Sequence, residues 1–150
     1  MEIEDITHIQ VKFSEIDSMR RVWHGTYVKY FEDGRESFGR HYPGIDYKMM
    51  QDTGIYAPIY DIQVRCLAPL EMNDIAVIHT IYVPKRGARL DYRYEIYRER
   101  DNVLCCKGST TQLFIDQAGE QMYDIPFFYQ DWKQKYLKEK IKAQNKKLRL

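Results

Sequence analysis

The chain has 150 residues, 44% hydrophobic and 30% charged, with 23 Lys or Arg against 22 Asp or Glu. A chain of this size buries about two-thirds of its unfolded surface in one domain, and this composition excludes a disordered or collagen-like polymer. The three cysteines, Cys66, Cys105 and Cys106, are odd in number and include an adjacent pair, which excludes a disulfide scaffold and predicts a reducing, cytoplasmic setting.

No run reaches the length of a membrane span. The first ten residues, M-E-I-E-D-I-T-H-I-Q, lack the basic start and apolar run of a secretion signal. Ile9, Val11 and Phe13 alternate with Gln10, Lys12 and Ser14, predicting a first strand with one wet face. Tyr27, Tyr30, Phe31, Gly34 and Phe38 then fall at i, i+3, i+4, i+7 and i+11, the stripe of a helix buried along one side. Thr26 is placed to cap this helix, Gly25 gives the backbone freedom before it, and Pro43-Gly44 ends it. Gly34 lowers helix propensity but lets something bulky pack close, so a sheet is expected over this face.

Beyond a loop through Asp52-Thr53-Gly54, four strand-like runs follow. Ile62, Val64 and Cys66 alternate with Gln63 and Arg65. Residues 75–83 are rich in β-branched side chains, Leu90, Tyr92, Tyr94 and Ile96 alternate with polar residues, and the last run spans 103–115. Turn-forming clusters at 69–74, 84–87 and 100–102 separate the runs, and such short connections predict antiparallel pairing in a meander. A strand, a helix and four strands make an α+β order, a helix packed on an antiparallel sheet, without the alternation of a TIM or Rossmann fold.

The expected domain covers residues 1–126. Residues 127–150 carry a net charge of +6 against −5 for the remainder. Trp132, Tyr136, Leu137 and Ile141 amid lysines predict an amphipathic helix that covers a sheet edge or extends from the domain and frays from Asn145. That reading of the basic tail is preferred to contact with nucleic acid or a membrane.

Asp17 lies seven residues before His24, at the expected start of the helix. A helix start offers unpaired N–H groups and the positive end of the peptide dipole, which stabilise a carbonyl oxygen that gains negative charge. With a carboxylate beside it, the arrangement suits acyl-group chemistry without a metal or a Ser/His/Asp set. Taken alone, Asp17 reads more readily as a turn-forming acid, and His24 as a residue that packs or caps the helix.

The stretch D-S-M-R-R-V-W-H-G-T-Y-V-K-Y-F-E-D-G-R, Asp17 to Arg35, resembles a segment of the hotdog-fold acyl-CoA thioesterases, the group typified by 4-hydroxybenzoyl-CoA thioesterase. In that group a strand ends in an Asp, a short loop leads to an aromatic or His, and a Y-x-x-Y-F/Y-E-x-x-R helix follows. The run R-C-L-A-P-L-E-M-N-D, Arg65 to Asp74, is similar to the family's strand-turn-strand segment, and the likeness covers roughly residues 5–125. The resemblance implies a hotdog fold, its sheet wrapped around a long central helix, that hydrolyses acyl thioesters of coenzyme A or of acyl carrier protein. Asp17 falls on the catalytic carboxylate, as nucleophile or general base. His24 falls on the catalytic position whose backbone N–H polarises the thioester carbonyl, with Gly25 and Thr26 as further amides. No metal or organic cofactor is implied; a homodimer or homotetramer is, with sites between paired protomers. One departure is the loop Ser18-Met19-Arg20-Arg21, where these relatives usually have glycine.

Arg65 and the basic turn residues Lys85, Arg86 and Arg89 are candidates for the phosphates of coenzyme A, against a plain reading as solvated surface. Cys105-Cys106 has no C-x-x-C or His spacing and reads as buried small residues. His41-Tyr42-Pro43-Gly44 is similar to the H-F-P-G-like stretch of hotdog hydroxyacyl-thioester dehydratases, but it follows the helix instead of preceding it. Dehydration or hydration is therefore the alternative activity, and a non-catalytic acyl-thioester binding protein the alternative class.

Overall fold

The computed structural model describes residues 2–148, with side chains in the last helix as far as Leu137. A strand β1 (Glu4–Gln10) leads through a 3-10 turn (Phe13–Glu15) to helix α1 (Thr26–His41) and a short helix α2 (Tyr47–Thr53). Strands β2 (Ile59–Cys66), β3 (Ile75–Val83), β4 (Arg89–Arg98) and β5 (Val103–Leu113) follow, then helix α3 (Phe127–Leu148). All five strands form one antiparallel sheet in the order β1-β3-β4-β5-β2, with α1 across its inner face. This is the expected α+β class and the hotdog arrangement. No helix among the described residues is long and apolar enough to cross a membrane.

The apolar stripe of α1 is the centre of the core. Tyr27, Tyr30, Phe31, Gly34 and Phe38 are all buried. Phe31 stacks on Tyr94 with ring centres 4.2 Å apart, and Phe38 meets Tyr92 edge-on at 5.2 Å, each pair contributing about 0.5–1.5 kcal/mol beyond its buried area. Two glycines permit the approach. A Cβ on Gly34 would strike the Thr80 hydroxyl and stand 3.1 Å from the Ile78 side chain, and one on Gly108 of β5 would run into the Phe31 ring.

Four features differ from the sequence expectations. The first strand ends at Gln10, and Phe13, expected inside it, is an exposed residue of the 3-10 turn. Ile9 and Val11 lie on its inward row as expected, and that row continues through Thr7 and the buried Asp5. Residues 47–53 form α2 where a loop was expected, ended by Gly54 in the left-handed conformation at φ +73°. The meander holds for β3-β4-β5 alone. β1 occupies the free edge of β3, so β2 pairs with the far side of β5 and becomes an edge strand.

The fourth is the role of α3, whose described side chains pack against Tyr82 of β3, Phe38 and the Tyr42–Gly44 turn. Trp132 is buried against Tyr82, Phe38 and Gly44 and donates its indole N–H to the Tyr42 carbonyl at 3.0 Å. The helix continues past Asn145 to Leu148, while the Ile141 side chain lies outside those described.

Gly34→Ala tests the central packing. Alanine gains about 1 kcal/mol of helix propensity, but displacing α1 from Thr80 costs about 1–3 kcal/mol. The expected result is a lower urea midpoint, largely restored by adding Thr80→Ala; a higher midpoint in the single variant contradicts this packing.

Candidate active site

Between the 3-10 turn and α1 the chain makes a tight hairpin in which Ile16 pairs with Val22. The Asp17 N–H donates to the Arg21 carbonyl at 2.7 Å, and the Arg20 N–H to the Asp17 carbonyl at 3.0 Å. Arg20 has φ +64°, so an arginine takes the left-handed position for which glycine is the usual choice. The Asp17 Oδ1 accepts from the backbone N–H of Met19 at 2.8 Å and of Arg21 at 3.4 Å. Its Oδ2 has no hydrogen bond among the described residues. One oxygen thus holds the turn while the other is open to a reacting group.

The helix start lies at the other arm of this hairpin. The Thr26 N–H donates to the Trp23 carbonyl at 2.9 Å and the Tyr27 N–H to His24 at 3.4 Å, whereas the N–H groups of His24 and Gly25 meet no acceptor among the described residues. Gly25, not Thr26, is the N-cap. Thr26 departs from expectation twice: its amide is occupied, and its hydroxyl donates to the Glu15 carbonyl at 3.3 Å instead of capping. A Cβ on Gly25 would overlap the exposed Trp23 ring as it lies here. The exposed His24 imidazole lies tilted beside Trp23, ring centres 5.0 Å apart.

Glu15, which the sequence reading passed over, is the buried acid of this region. Its Oε1 accepts from the Lys12 N–H at 2.8 Å and the Tyr30 hydroxyl at 3.0 Å, and its Oε2 from Lys29 at 2.9 Å. Burial opposes its charge, but the Lys12 amide, Lys29 and Tyr30 outweigh burial and hold the carboxyl below its ordinary value. The E-I-D spacing before the loop was the available signal.

A cavity of about 950 Å³ opens along the middle and far turns of α1, lined by Glu32, Arg35, Gly39, Ala57, Tyr92 and Gln112 among others. It is more than large enough for a small ligand. The Gln112 side-chain N–H donates to the Ala57 carbonyl at 2.6 Å, and its buried Oε1 has no hydrogen-bond partner among the described residues. The helix residues that line the cavity run from Glu32 to Arg40, so within one protomer it extends from about 9 to about 21 Å along the helix beyond Thr26.

The candidate cations do not converge. Arg65 is exposed near the end of β2, whereas Arg89 is at the opposite end of β5, opposite Leu113. Arg89 is clamped by Asp91 through bonds of 2.6 and 2.7 Å, with Lys85 3.9 Å from the same carboxylate; Arg86 beside them is exposed. His41 pairs with the buried Asp5 at 2.5 Å and does not line the cavity. Cys105 and Cys106 are both buried because Cys105 is the extra residue of a bulge opposite Ile96 and Tyr97.

A sheet wrapped on one helix is the hotdog fold, and here a carboxylate hairpin lies beside that helix's open amides. The family model of the Thioesterase-like superfamily matches residues 11–140, and the chain belongs to that family. It is 28% identical to "Putative acyl-CoA thioesterase YneP" of Bacillus subtilis (strain 168), over 88% of this chain and 94% of that protein. Among solved structures, hypothetical protein TT1821 from Thermus thermophilus superposes with a TM-score of 0.75 at 26% identity, over 86% of this chain and 95% of that one. Slr0204 from Synechocystis, a 1,4-dihydroxy-2-naphthoyl-CoA thioesterase, has the same fold with a TM-score of 0.77 at 15% identity, over 86% and 94% of the two chains.

The buried carboxylates predict the acid limb of stability. Asp91 is held below its ordinary value: burial raises it, but bonds from Arg89 and Thr111 outweigh burial. A depressed carboxyl contributes stability that is complete above the unfolded value and is lost as pH falls through the folded one. The urea midpoint is expected to decline from about pH 4.5 downward, with a shallower decline in Glu15→Gln. A midpoint that rises on acidification contradicts these assignments.

Proposed function

We propose that the protein is a homodimeric hydrolase of acyl-CoA thioesters in which Asp17 supplies the reactive carboxylate and the His24 and Gly25 amides hold the thioester oxygen. The observation that carries this reading is the division of labour at Asp17, one oxygen anchored by backbone N–H groups and the other open, beside two amides without acceptors. Asp17 Oδ2 attacks the thioester carbonyl, or takes a proton from the water that does. The carbonyl oxygen gains negative charge at the helix start, and the carbonyl re-forms as the C–S bond breaks and the thiolate leaves. The thiolate takes its proton from Asp17 in the base route and from water in the nucleophilic route, where water then hydrolyses the mixed anhydride on Asp17 to release the acid. Membership of the thioesterase family and the acyl-CoA name of the Bacillus subtilis relative support the substrate class.

The dimer is supported by β2. Its edge is unpaired in the protomer, and Tyr60, Ile62 and Val64, on its inner side, are exposed. A two-fold axis through such an edge makes the two β2 strands antiparallel. The start of β2 follows the cavity residues Ala57 and Pro58, and its end is near the start of α1, where Tyr27 senses Cys66. Antiparallel pairing therefore sets the cavity of one protomer beside the Asp17 hairpin of the other. In this dimer the acyl group occupies the cavity, and the coenzyme extends past the exposed Trp23 and Arg65.

Asp17→Asn retains the turn-holding carbonyl and removes the nucleophile or base. Thiol release from short, long and aromatic acyl-CoAs is expected to fall about 1,000-fold or more with the urea midpoint little changed. Undiminished release in a folded Asp17→Asn protein sinks the assignment.

A further inference from the structure

Glu15 has no part in the chemistry above, yet it is a buried, charged residue two positions from Asp17. Five hydrogen bonds converge on it. Three reach the carboxylate, from the Lys12 N–H, the Tyr30 hydroxyl and the Lys29 ammonium. Two reach its backbone carbonyl, from the Trp23 N–H at 2.9 Å and the Thr26 hydroxyl at 3.3 Å. Lys29, Tyr30 and Thr26 all belong to the first two turns of α1, and Trp23 immediately precedes His24.

These bonds have one geometric effect. Glu15 and Trp23 are the two feet of the hairpin that carries Asp17, and the Trp23 N–H joins them. The carboxylate then fastens the Glu15 foot to the side of α1. A buried carboxylate with three donors has little freedom to shift, because each donor lost leaves charge unsatisfied.

We propose that Glu15 is a positioning residue: it fixes the Asp17 carboxylate relative to the helix-start amides of His24 and Gly25. The proposal rests on the reading of Asp17 as the reactive group. Glu15 itself touches no reacting atom. Its influence passes through the hairpin on one side and through the first turns of α1 on the other, so its loss alters the alignment of the two halves of the site more than the capture of substrate.

The test compares wild type, Glu15→Gln, Tyr30→Phe and Asp17→Asn in thiol release from acyl-CoA, well below the melting temperature of each. Glutamine keeps one acceptor for Tyr30 and the Lys12 amide but sets an N–H₂ group against the Lys29 ammonium. In Glu15→Gln, kcat is expected to fall at least tenfold with KM within threefold of wild type. Tyr30→Phe, which removes one donor and leaves the ring, is expected to lower kcat in the same direction by a smaller factor. A purely structural anchor predicts a lower melting temperature with kcat unchanged in the folded fraction, and that result overturns the proposal. If Glu15→Gln does not fold, Tyr30→Phe decides: wild-type kcat overturns the proposal, and reduced kcat at constant KM supports it.

Hydrogen exchange at the Met19 amide, which bonds to Asp17 Oδ1, gives a readout independent of turnover. It is expected to quicken at least fivefold in Glu15→Gln or Tyr30→Phe relative to amides of β4. Unchanged exchange overturns the positioning claim. Full activity in Asp17→Asn, or no thiol release by wild type, overturns the catalytic reading instead and leaves the exchange experiment to judge Glu15.

Discussion

The close approach of α1 to the sheet governs the rest of the molecule. It depends on missing side chains, at Gly34 against Thr80 and at Gly108 beneath the Phe31 ring. With the helix seated this deeply, its first turn reaches the Glu15-Trp23 hairpin and its last turn reaches Asp5, Trp132 and the cavity wall. One rigid rod therefore sets the position of both the reactive hairpin and the cavity. α3 adds to this arrangement, because Tyr129 and Trp132 pack against Tyr82 of β3.

The same rod keeps the two halves of the proposed site apart. A helix of sixteen residues spans about 24 Å, and the cavity lies along its middle and far turns, from Glu32 to Arg40, away from the Asp17 hairpin. An exposed edge strand is a liability unless another strand covers it. In the proposed dimer the apolar inner row of β2 is buried and the separation becomes an advantage, since each helix end faces the opposite end of its partner.

Much of this was legible in the sequence where periodicity was unambiguous. The stripe from Tyr27 to Phe38 located α1, and Gly34 marked the face the sheet would cover. Other parts were hidden for physical reasons. β1 turns Asp5 inward to meet His41, so alternation of polarity misplaced the strand by several residues. The position of β2 beyond β5 depends on which strand claims the edge of β3, a long-range competition that no local turn signal reports. At the candidate site, the sequence pointed to Asp17 and the helix start but not to the donors around Glu15, which come from Lys12, Lys29 and Tyr30 across the fold. Thr26 looked like a cap because its type and place were right; the Glu15 carbonyl took its hydroxyl instead.

The central claim, that Asp17 of one protomer serves the cavity of the other, is tested most directly by complementation. Asp17→Asn protomers are co-expressed with Ala57→Trp protomers, in which the cavity wall is filled, after each is found inactive as a homodimer. Random pairing makes half the dimers mixed, each with one intact carboxylate beside one open cavity, so thiol release should return to about a quarter of the wild-type rate. No recovery in demonstrably mixed dimers would mean that carboxylate and cavity act within a single chain, and would contradict the shared site.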